Sequence, residues 1–139
     1  LGLTDAHSTE MYPETPFPVI YLMESQKNIS DKGGTMRLGA YSCNVKENSN
    51  AFTAYNSDKI QERHRHRYEF NNKYLGDYEK QGMVATGLNP ENNLVEIVEI
   101  TNHPWFVAVQ FHPEYKSTVI NPHPLFSAFI KAAVDHHNK

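Results

Sequence analysis

The sequence predicts a single α/β or α+β domain, and three observations predict it. The 139 residues correspond to one domain with one sizeable core. Several short runs rich in β-branched and aromatic residues, many of them near the centre of the chain, are typical of strands. Residues 124–138 instead repeat their apolar positions at helical spacing, which indicates an amphipathic helix at the end of the chain.

The first half of the chain alternates loops and strands. A proline-containing loop over residues 8–18 leads into a strand predicted at residues 19–23. A second loop over residues 25–34 ends in two glycines, which permit backbone conformations that other residues resist. Residues 35–45 are extended in character and predict a strand, and residues 49–60 predict an irregular segment or a short helix.

The second half contains the strongest strand patterns. Residues 61–70, QERHRHRYEF, alternate strictly and predict one strand. A short helix is expected at residues 73–81. Residues 83–88 and 94–100 flank the turn residues NPENN and predict a hairpin. Residues 103–111 predict a further strand that is reached through a proline.

The final helix is predicted over residues 124–138, with Pro124 in its first turn, where proline is well tolerated. Its apolar positions form one face, made of Leu125, Phe126, Phe129, Ile130, Ala133 and Val134.

The bulk composition excludes several classes of protein. A net charge of −3 gives no general electrostatic reason to bind nucleic acid or an anionic membrane. No apolar stretch has the length of a membrane span, and no signal-peptide pattern opens the chain. A single cysteine cannot form an internal disulfide. We therefore expect a soluble, cytoplasmic protein that binds neither nucleic acid nor membrane.

His112 and Glu114 form the first candidate site, at the end of the apolar run FVAVQF. Side chains two positions apart on a strand point to the same face. A carboxylate beside an imidazole fixes its tautomer and stabilises the imidazolium, which is what a histidine base needs when it activates a nucleophile. An ordinary ion pair at the end of a strand has the same spacing, so the spacing alone leaves both interpretations open.

The run Arg63-His64-Arg65-His66-Arg67 is the second candidate. On one strand it would place three guanidinium groups on one face and two imidazoles on the other. It could grip a carboxylate or phosphate, chelate a metal, hold RNA or form a polar edge strand. Crowding by arginines and the absence of an evident third ligand oppose a metal, and acidic neighbours oppose RNA. A carboxylate grip or a plain edge strand remains.

Cys43 is the obvious nucleophile to consider, but its surroundings do not suit that role. It lies in the extended segment AYSCNV, without the glycines that let a strand turn sharply into a helix. We expect Cys43 to be a small packing residue. The chain therefore offers a base and an orienting acid without a convincing nucleophile.

Several motifs together resemble the glutamine amidotransferase domain of the CTP synthase family. They cover nearly the whole chain in the family's order. GGTMRLG together with ERHRHRYE is the combination most specific to this family. The motifs are DAHSTE (5–10), GGTMRLG (33–39), ERHRHRYEFNN (62–72), NHPWFVAVQFHPEY (102–115) and HPLFSAFIKAA (123–133).

The resemblance implies a class I, triad-type amidotransferase domain with a flavodoxin-like fold, in which helices flank a central mixed sheet. In that family a Cys-His-Glu triad hydrolyses glutamine. His112 and Glu114 match the catalytic histidine and glutamate, and Glu10 and Arg67 match glutamine-binding residues. GGTMRLG reads as structural or interdomain, and no metal site is expected. The roles of Arg63, His64, Arg65 and His66 stay open.

The resemblance also implies partners beyond this chain. In the family, the ammonia passes to a synthetase domain that uses ATP, Mg²⁺ and UTP to make CTP, GTP activates the enzyme, and the parent is a homotetramer. The family's cysteine precedes the STE segment, so we expect residues 1–139 to be the C-terminal part of the domain and inactive alone. Alternatives are a catalytically dead or regulatory module, and another class I amidotransferase or γ-glutamyl hydrolase.

Overall fold

In the computed structural model, residues 1–22 and 36–138 are described. The described residues combine strands with three α-helices and two single 3-10 turns, at Asn72–Tyr74 and Pro113–Lys116. The strands are β1 Ala6–Ser8, β2 Phe17–Leu22, β3 Arg37–Val45, β4 Lys59–His66, β5 Tyr68–Phe70, β6 Met83–Leu88, β7 Val95–Ile100 and β8 Val107–Val109. The helices are α1 Asn50–Tyr55, α2 Leu75–Lys80 and α3 Pro124–His137.

The strands form two sheets. One is a three-stranded mixed sheet in the order β1-β2-β5, in which β1 runs parallel to β2 and β5 runs antiparallel to it. The other has five strands in the order β4-β3-β6-β7-β8, with antiparallel neighbours throughout. This combination of a mixed sheet and flanking helices confirms the predicted α/β class.

The alternating segment 61–70 does not form one strand, and the prediction of three arginines on one face is wrong. The alternation holds as far as His66, with Arg63 and Arg65 exposed and His64 buried. The chain then breaks at Arg67, which lies between β4 in the larger sheet and β5 in the smaller one. Within the described residues β4 is an edge of its sheet, where exposed charge opposes pairing with other chains.

The core lies where the five-stranded sheet meets α1 and α3. Its buried members are Cys43, Val45, Ala51, Ile97, Phe111 and Leu125. Gly87 on β6 permits this packing, because a Cβ there would lie 2.8 Å from Cys43 Sγ and 2.5 Å from Ile97 Cγ1. The predicted hairpin of β6 and β7 is confirmed, and it brings these residues together.

Hydrogen bonds cap the start of α1, which borders this core. The Ser49 hydroxyl accepts from the Phe52 amide at 3.0 Å, which is the usual N-cap arrangement. Glu99 of β7 accepts from the backbone amides of Asn50 and Ala51, each at 2.9 Å. This carboxylate therefore satisfies the first free amides of α1.

The apolar face predicted for the last helix is present, but most of it lies on the surface. Leu125 is buried, whereas Phe126, Phe129, Ile130 and Val134 are 40% to 60% exposed. The sequence pattern gives the face of the helix but not what covers it. Among the described residues, no helix combines the length and the apolar character needed to cross a membrane.

Several predicted boundaries differ from the observed ones. Strand β1 was not predicted, because three residues are too short to show a period. Lys59 and Ile60 belong to β4 rather than to the preceding irregular segment, and β8 covers only Val107–Val109 of the run predicted at 103–111. The predicted loop at 25–34, with the first two glycines of GGTMRLG, lies outside the described residues, whereas Gly39 of that motif lies on β3 with a φ of 98°.

Candidate active site

His112 and Glu114 do not lie on the strand that the sequence analysis assumed; they lie in a tight turn that begins three residues after the end of β8. We call residues 112–116 the HPE turn; Pro113 begins its 3-10 segment. His112 Nδ1 and Glu114 Oε1 are 2.7 Å apart, and since a carboxylate only accepts, Nδ1 donates. The hydrogen bond from His112 lowers the pKa of the Glu114 carboxyl below its ordinary value. In the neutral imidazole this leaves the lone pair on Nε2, where a base acts.

The surroundings of His112 restrict how its ring can turn. Its backbone amide donates to the Arg63 carbonyl of β4 at 2.8 Å. The Tyr115 ring stacks on the imidazole with centroids 4.9 Å apart. The preceding residue, Phe111, is buried in the core and packs against His64. A half-exposed imidazole is thus held from its backbone, from one face and through Nδ1.

Arg67 and Glu10 lie at the same end of the three-stranded sheet. Glu10 lies two residues after β1. Between them, the amide of Thr9 donates to the Ile20 carbonyl at 3.0 Å. Ile20 pairs with Phe70 of β5, and Arg67 is the residue just before β5. The two residues thus belong to segments on either side of β2, at the end of the sheet where β1 and β2 finish and β5 begins.

The HPE turn is tied to the segment that carries Arg67. Gln110 lies two residues before His112, and its amide is assigned so that the nitrogen, rather than the oxygen, faces the two neighbouring acceptors. In that assignment it donates to Glu69 Oε2 at 2.9 Å and to the Val95 carbonyl at 2.8 Å. Glu69 lies on β5, two residues after Arg67. Gln110 thus links the segment that leads to the HPE turn with β5, the strand that follows Arg67; that Arg67 and the His112–Glu114 pair form one site stays a prediction.

A buried polar cluster lies beneath these segments and joins the two sheets. It consists of Arg37, His64, His66, Glu69 and Glu96, and Glu69 alone comes from the smaller sheet. Arg37 Nη2 lies 2.5 Å from Glu96 Oε1, and Nη1 lies 3.8 Å from Glu69 Oε1. His64 Nδ1 and His66 Nε2 are 2.7 Å apart. Sequence reasoning missed this cluster, although it placed Arg37 in a motif read as structural.

The same cluster bears on the metal alternative. His64, His66 and Glu96 bring one ligand atom each within 4.8 Å of one another, so a third ligand exists that the sequence did not reveal. Glu96 is already neutralised by Arg37, and the two imidazoles hydrogen-bond each other. A fixed guanidinium beside the carboxylate opposes a metal cation. The cluster is better explained as a buried ion-pair network around Arg37, in which His64 Nε2 is left without a hydrogen-bond partner.

Burial sets the protonation states in this cluster. Burial and the Arg37 charge lower the pKa of His64 to about 3 and that of His66 to about 4. Burial raises the pKa of Glu69 to about 7 despite the opposing effect of Arg37. Burial also raises the pKa of Glu96 above its ordinary value. Both imidazoles are therefore neutral at pH 7 and accept or donate hydrogen bonds without adding charge.

The lowered pKa of His64 predicts how the stability of the fold depends on pH. In the unfolded chain His64 binds a proton near pH 6.5, whereas in the folded chain it binds one only near pH 3. The stability that neutral His64 contributes to the fold is therefore fully present above pH 6.5 and is lost as the pH falls. The difference in unfolding free energy between wild type and His64→Gln should narrow as the pH falls from 7 to 4, by at most about 1.4 kcal/mol per pH unit.

Urea unfolding at a series of pH values measures this change. Exposed Asn102 provides the control, since Asn102→Gln changes no ionisable group and should keep a constant difference from wild type. A constant difference for His64→Gln as well would contradict the lowered pKa of His64.

Cys43 does not belong to the candidate site. It is 1% exposed, and burial, followed by the Glu96 charge, raises the pKa of its thiol to about 12. A thiol that stays protonated at pH 7 is a poor nucleophile. Its contact with the Gly87 position accounts for it as a packing residue.

Comparisons with known proteins identify the family of this chain. Residues 6–132 match the family model described as glutamine amidotransferase class-I. The chain is 65% identical over 135 residues to a CTP synthase of Cytophaga hutchinsonii, covering 97% of the chain and 25% of that protein. It is 55% identical to a CTP synthase of Aquifex aeolicus, covering all of the chain and 26% of that protein.

A solved structure shows the same fold. It is described as Trypanosoma brucei CTPS, glutaminase domain with bound acivicin, and it matches with a TM-score of 0.88 and 35% identity. The match covers 96% of this chain and 52% of that one. The chain thus spans about a quarter of the curated relatives and about half of a glutaminase domain. From the family match and the shared fold, the chain belongs to the class-I glutamine amidotransferase family.

Proposed function

We propose that this chain is the C-terminal part of the glutaminase domain of a CTP synthase, which hydrolyses glutamine to supply ammonia for the conversion of UTP to CTP. The observation that carries the proposal is the 2.7 Å contact between His112 Nδ1 and Glu114 Oε1 in the HPE turn. The names of the relatives and of the matching structure support the choice of reaction. The nucleophilic cysteine would come from a preceding segment, so the chain alone would be inactive.

The geometry of the pair supports the following roles in this reaction. Nε2 of His112 takes the proton of the cysteine thiol, and the thiolate attacks the carboxamide carbon of glutamine. Glu114 holds the imidazole in this tautomer and stabilises the imidazolium. His112 then returns the proton to the departing ammonia, leaving a thioester that water hydrolyses to glutamate. Glu114 acts on the substrate only through His112.

Glu10 and Arg67 are proposed to select free glutamine. The amino acid presents an α-ammonium and an α-carboxylate, which call for one acid and one cation. Glu10 would bind the ammonium, and Arg67 would bind the carboxylate with two parallel hydrogen bonds. Their position at one end of the three-stranded sheet, on either side of β2, supports this pairing.

The parent protein is proposed to supply the remaining chemistry. Its synthetase domain would use ATP and Mg²⁺ to activate UTP and would receive the ammonia. GTP would act as an allosteric activator, and the parent would be a cytoplasmic homotetramer. None of these groups is assigned to residues of this chain, and we propose no metal or nucleotide site within it.

The direct test compares two nitrogen sources in the full-length parent. With glutamine, we expect release of glutamate and formation of CTP from UTP and ATP; with ammonium, we expect CTP without glutamate. A parent that makes CTP only from ammonium would be a catalytically dead amidotransferase. Release of glutamate without any CTP would point to another class I amidotransferase or a hydrolase.

Arg67→Ala is expected to raise KM for glutamine about 10- to 100-fold, because a charged hydrogen-bonding pair contributes about 1.5–3 kcal/mol. The kcat at saturating glutamine should change much less, since the reacting carboxamide lies at the other end of the substrate. Steady-state glutaminase assays of the parent measure both constants. Arg65→Ala is the control, because Arg65 is exposed on β4. An unchanged KM in Arg67→Ala would remove Arg67 from the binding site.

A further inference from the structure

The buried carboxylate of Glu62 joins three segments around the HPE turn. Glu62 lies on β4 and is 3% exposed. Its Oε1 lies 3.0 Å from His123 Nε2 and accepts from the Tyr55 hydroxyl at 3.0 Å. Its Oε2 lies 3.4 Å from Lys116 Nζ. A buried carboxylate requires such partners to offset its lost hydration, and here they come from α1, the HPE turn and the start of α3.

His123 connects the end of the HPE turn to α3. The Leu125 amide donates to His123 Nδ1 at 3.3 Å, so in the neutral ring the proton is on Nε2, which donates to Glu62. The backbone amide of His123 donates to the Ser117 hydroxyl at 3.0 Å. Ser117 follows the HPE turn directly, so one histidine caps the helix, bonds to Glu62 and holds the segment after the turn.

Strand β4 therefore holds the HPE turn at both ends. At the first residue, the His112 amide donates to the Arg63 carbonyl at 2.8 Å. At the last residue, Lys116 pairs with Glu62 and also donates to the Gln61 carbonyl. These two attachments come from three consecutive residues of one strand, so they fix the tilt of the turn as well as its position.

The charge on Glu62 persists at neutral pH. Burial by itself would raise the pKa of this carboxyl, but the hydrogen bond from His123, the Lys116 charge and the Tyr55 hydroxyl together lower the pKa below its ordinary value. The attachment of Lys116 to β4 is thus an ion pair under the conditions of the proposed reaction.

We infer that Glu62 is a positioning residue for the glutaminase reaction, holding the HPE turn against β4 so that the His112–Glu114 pair keeps one orientation. Glu62 acts through Lys116 and His123 and touches neither His112 nor Glu114 through its side chain. The inference rests on the proposed function, because an orientation of His112 has a kinetic consequence only if His112 is the base.

The test is Glu62→Gln in the full-length parent. The amide keeps the size of the side chain but loses the ion pair with Lys116, so the turn should tilt. We expect kcat for glutamine hydrolysis to fall about 10- to 100-fold, as small misplacements of reacting groups do. KM for glutamine should stay within about twofold, because Glu10 and Arg67 are elsewhere. CTP formation from ammonium should be unchanged.

Glu99→Gln is the matched control. Glu99 is also 3% exposed, and it accepts hydrogen bonds at 2.9 Å from Asn50, Ala51 and Thr86. Those partners lie at the first turn of α1 and on β6, and α1 is linked to the HPE turn only indirectly, through the Tyr55 hydroxyl on Glu62. A purely structural role predicts a lower melting temperature with kcat for glutamine within about twofold of wild type.

The outcomes separate the inference from the proposed function. A wild-type parent that releases no glutamate overturns both. If the wild type is active, a normal kcat in Glu62→Gln, or equal losses with glutamine and ammonium, overturns the inference alone. If Glu62→Gln does not fold, Lys116→Met replaces it, since Lys116 is 43% exposed. That variant should lose kcat severalfold at unchanged KM, and an unchanged kcat would overturn the inference.

Discussion

His112→Ala should reduce kcat for glutamine hydrolysis in the proposed parent by a thousandfold or more, the scale seen when a base that acts as one unit with a nucleophile is removed. Without the imidazole, no group in the described part of the site takes the thiol proton, and no group returns a proton to the departing ammonia. KM should change little, because the ends of glutamine are assigned to Glu10 and Arg67.

Comparing glutamine with ammonium distinguishes this effect from unfolding. CTP formation from ammonium should stay near the wild-type rate, because that route bypasses the glutaminase site. Exposed His136, in the last turn of α3, provides a matched variant, and His136→Ala should hydrolyse glutamine normally. Retention of more than a tenth of the glutaminase activity in His112→Ala would exclude His112 as the base.

Arg37→Met should lower the unfolding free energy by about 3–5 kcal/mol, the cost typical of removing one partner of a buried ion pair. Arg37 is 5% exposed, and the carboxylates of Glu69 and Glu96 are fully buried beside it. Methionine keeps most of the apolar stem but leaves both acids without their cation. The loss should grow as the pH rises above 7, since Glu69, whose pKa is about 7 beside Arg37, then ionises.

Urea unfolding measures this loss of unfolding free energy, and two further variants test its cause. Arg65→Met removes an exposed arginine from the neighbouring strand and should cost within about 0.5 kcal/mol. Adding Glu96→Gln to Arg37→Met should recover part of the loss, because it removes one of the stranded charges. A loss below about 1 kcal/mol in Arg37→Met would show that water or rearrangement compensates the cluster.

Local patterns predicted the elements whose stabilising contacts are close in sequence. The spacing of His112 and Glu114 predicted a contact that is present, although a 3-10 turn and not a strand brings the pair together. The NPENN turn predicted the hairpin of β6 and β7. The alternation of residues 61–66 gave the buried and exposed sides of β4. Each of these depends on geometry within a few residues, which period and turn chemistry determine.

Features that depend on distant partners could not be predicted. Nothing local distinguishes Arg67 from Arg65, because the alternation continues through it; the break exists because β5 pairs with β2 while β4 pairs with β3. Glu96 looks like an exposed position of the hairpin until Arg37, from another strand, neutralises it. Such burial is set by tertiary pairing, which overrides local preference.

The break at Arg67 also constrains how this chain can vary in length. Because strand side chains alternate, His66 and Glu69 face the shared interior only while one residue separates β4 from β5. An inserted or deleted residue there would turn Glu69 outward and bring its neighbours in, removing one carboxylate from Arg37 while moving the arginine assigned to the substrate. A substitution at Arg67 would leave this register in place, whereas a change of length would disrupt the interior and the candidate site in a single step.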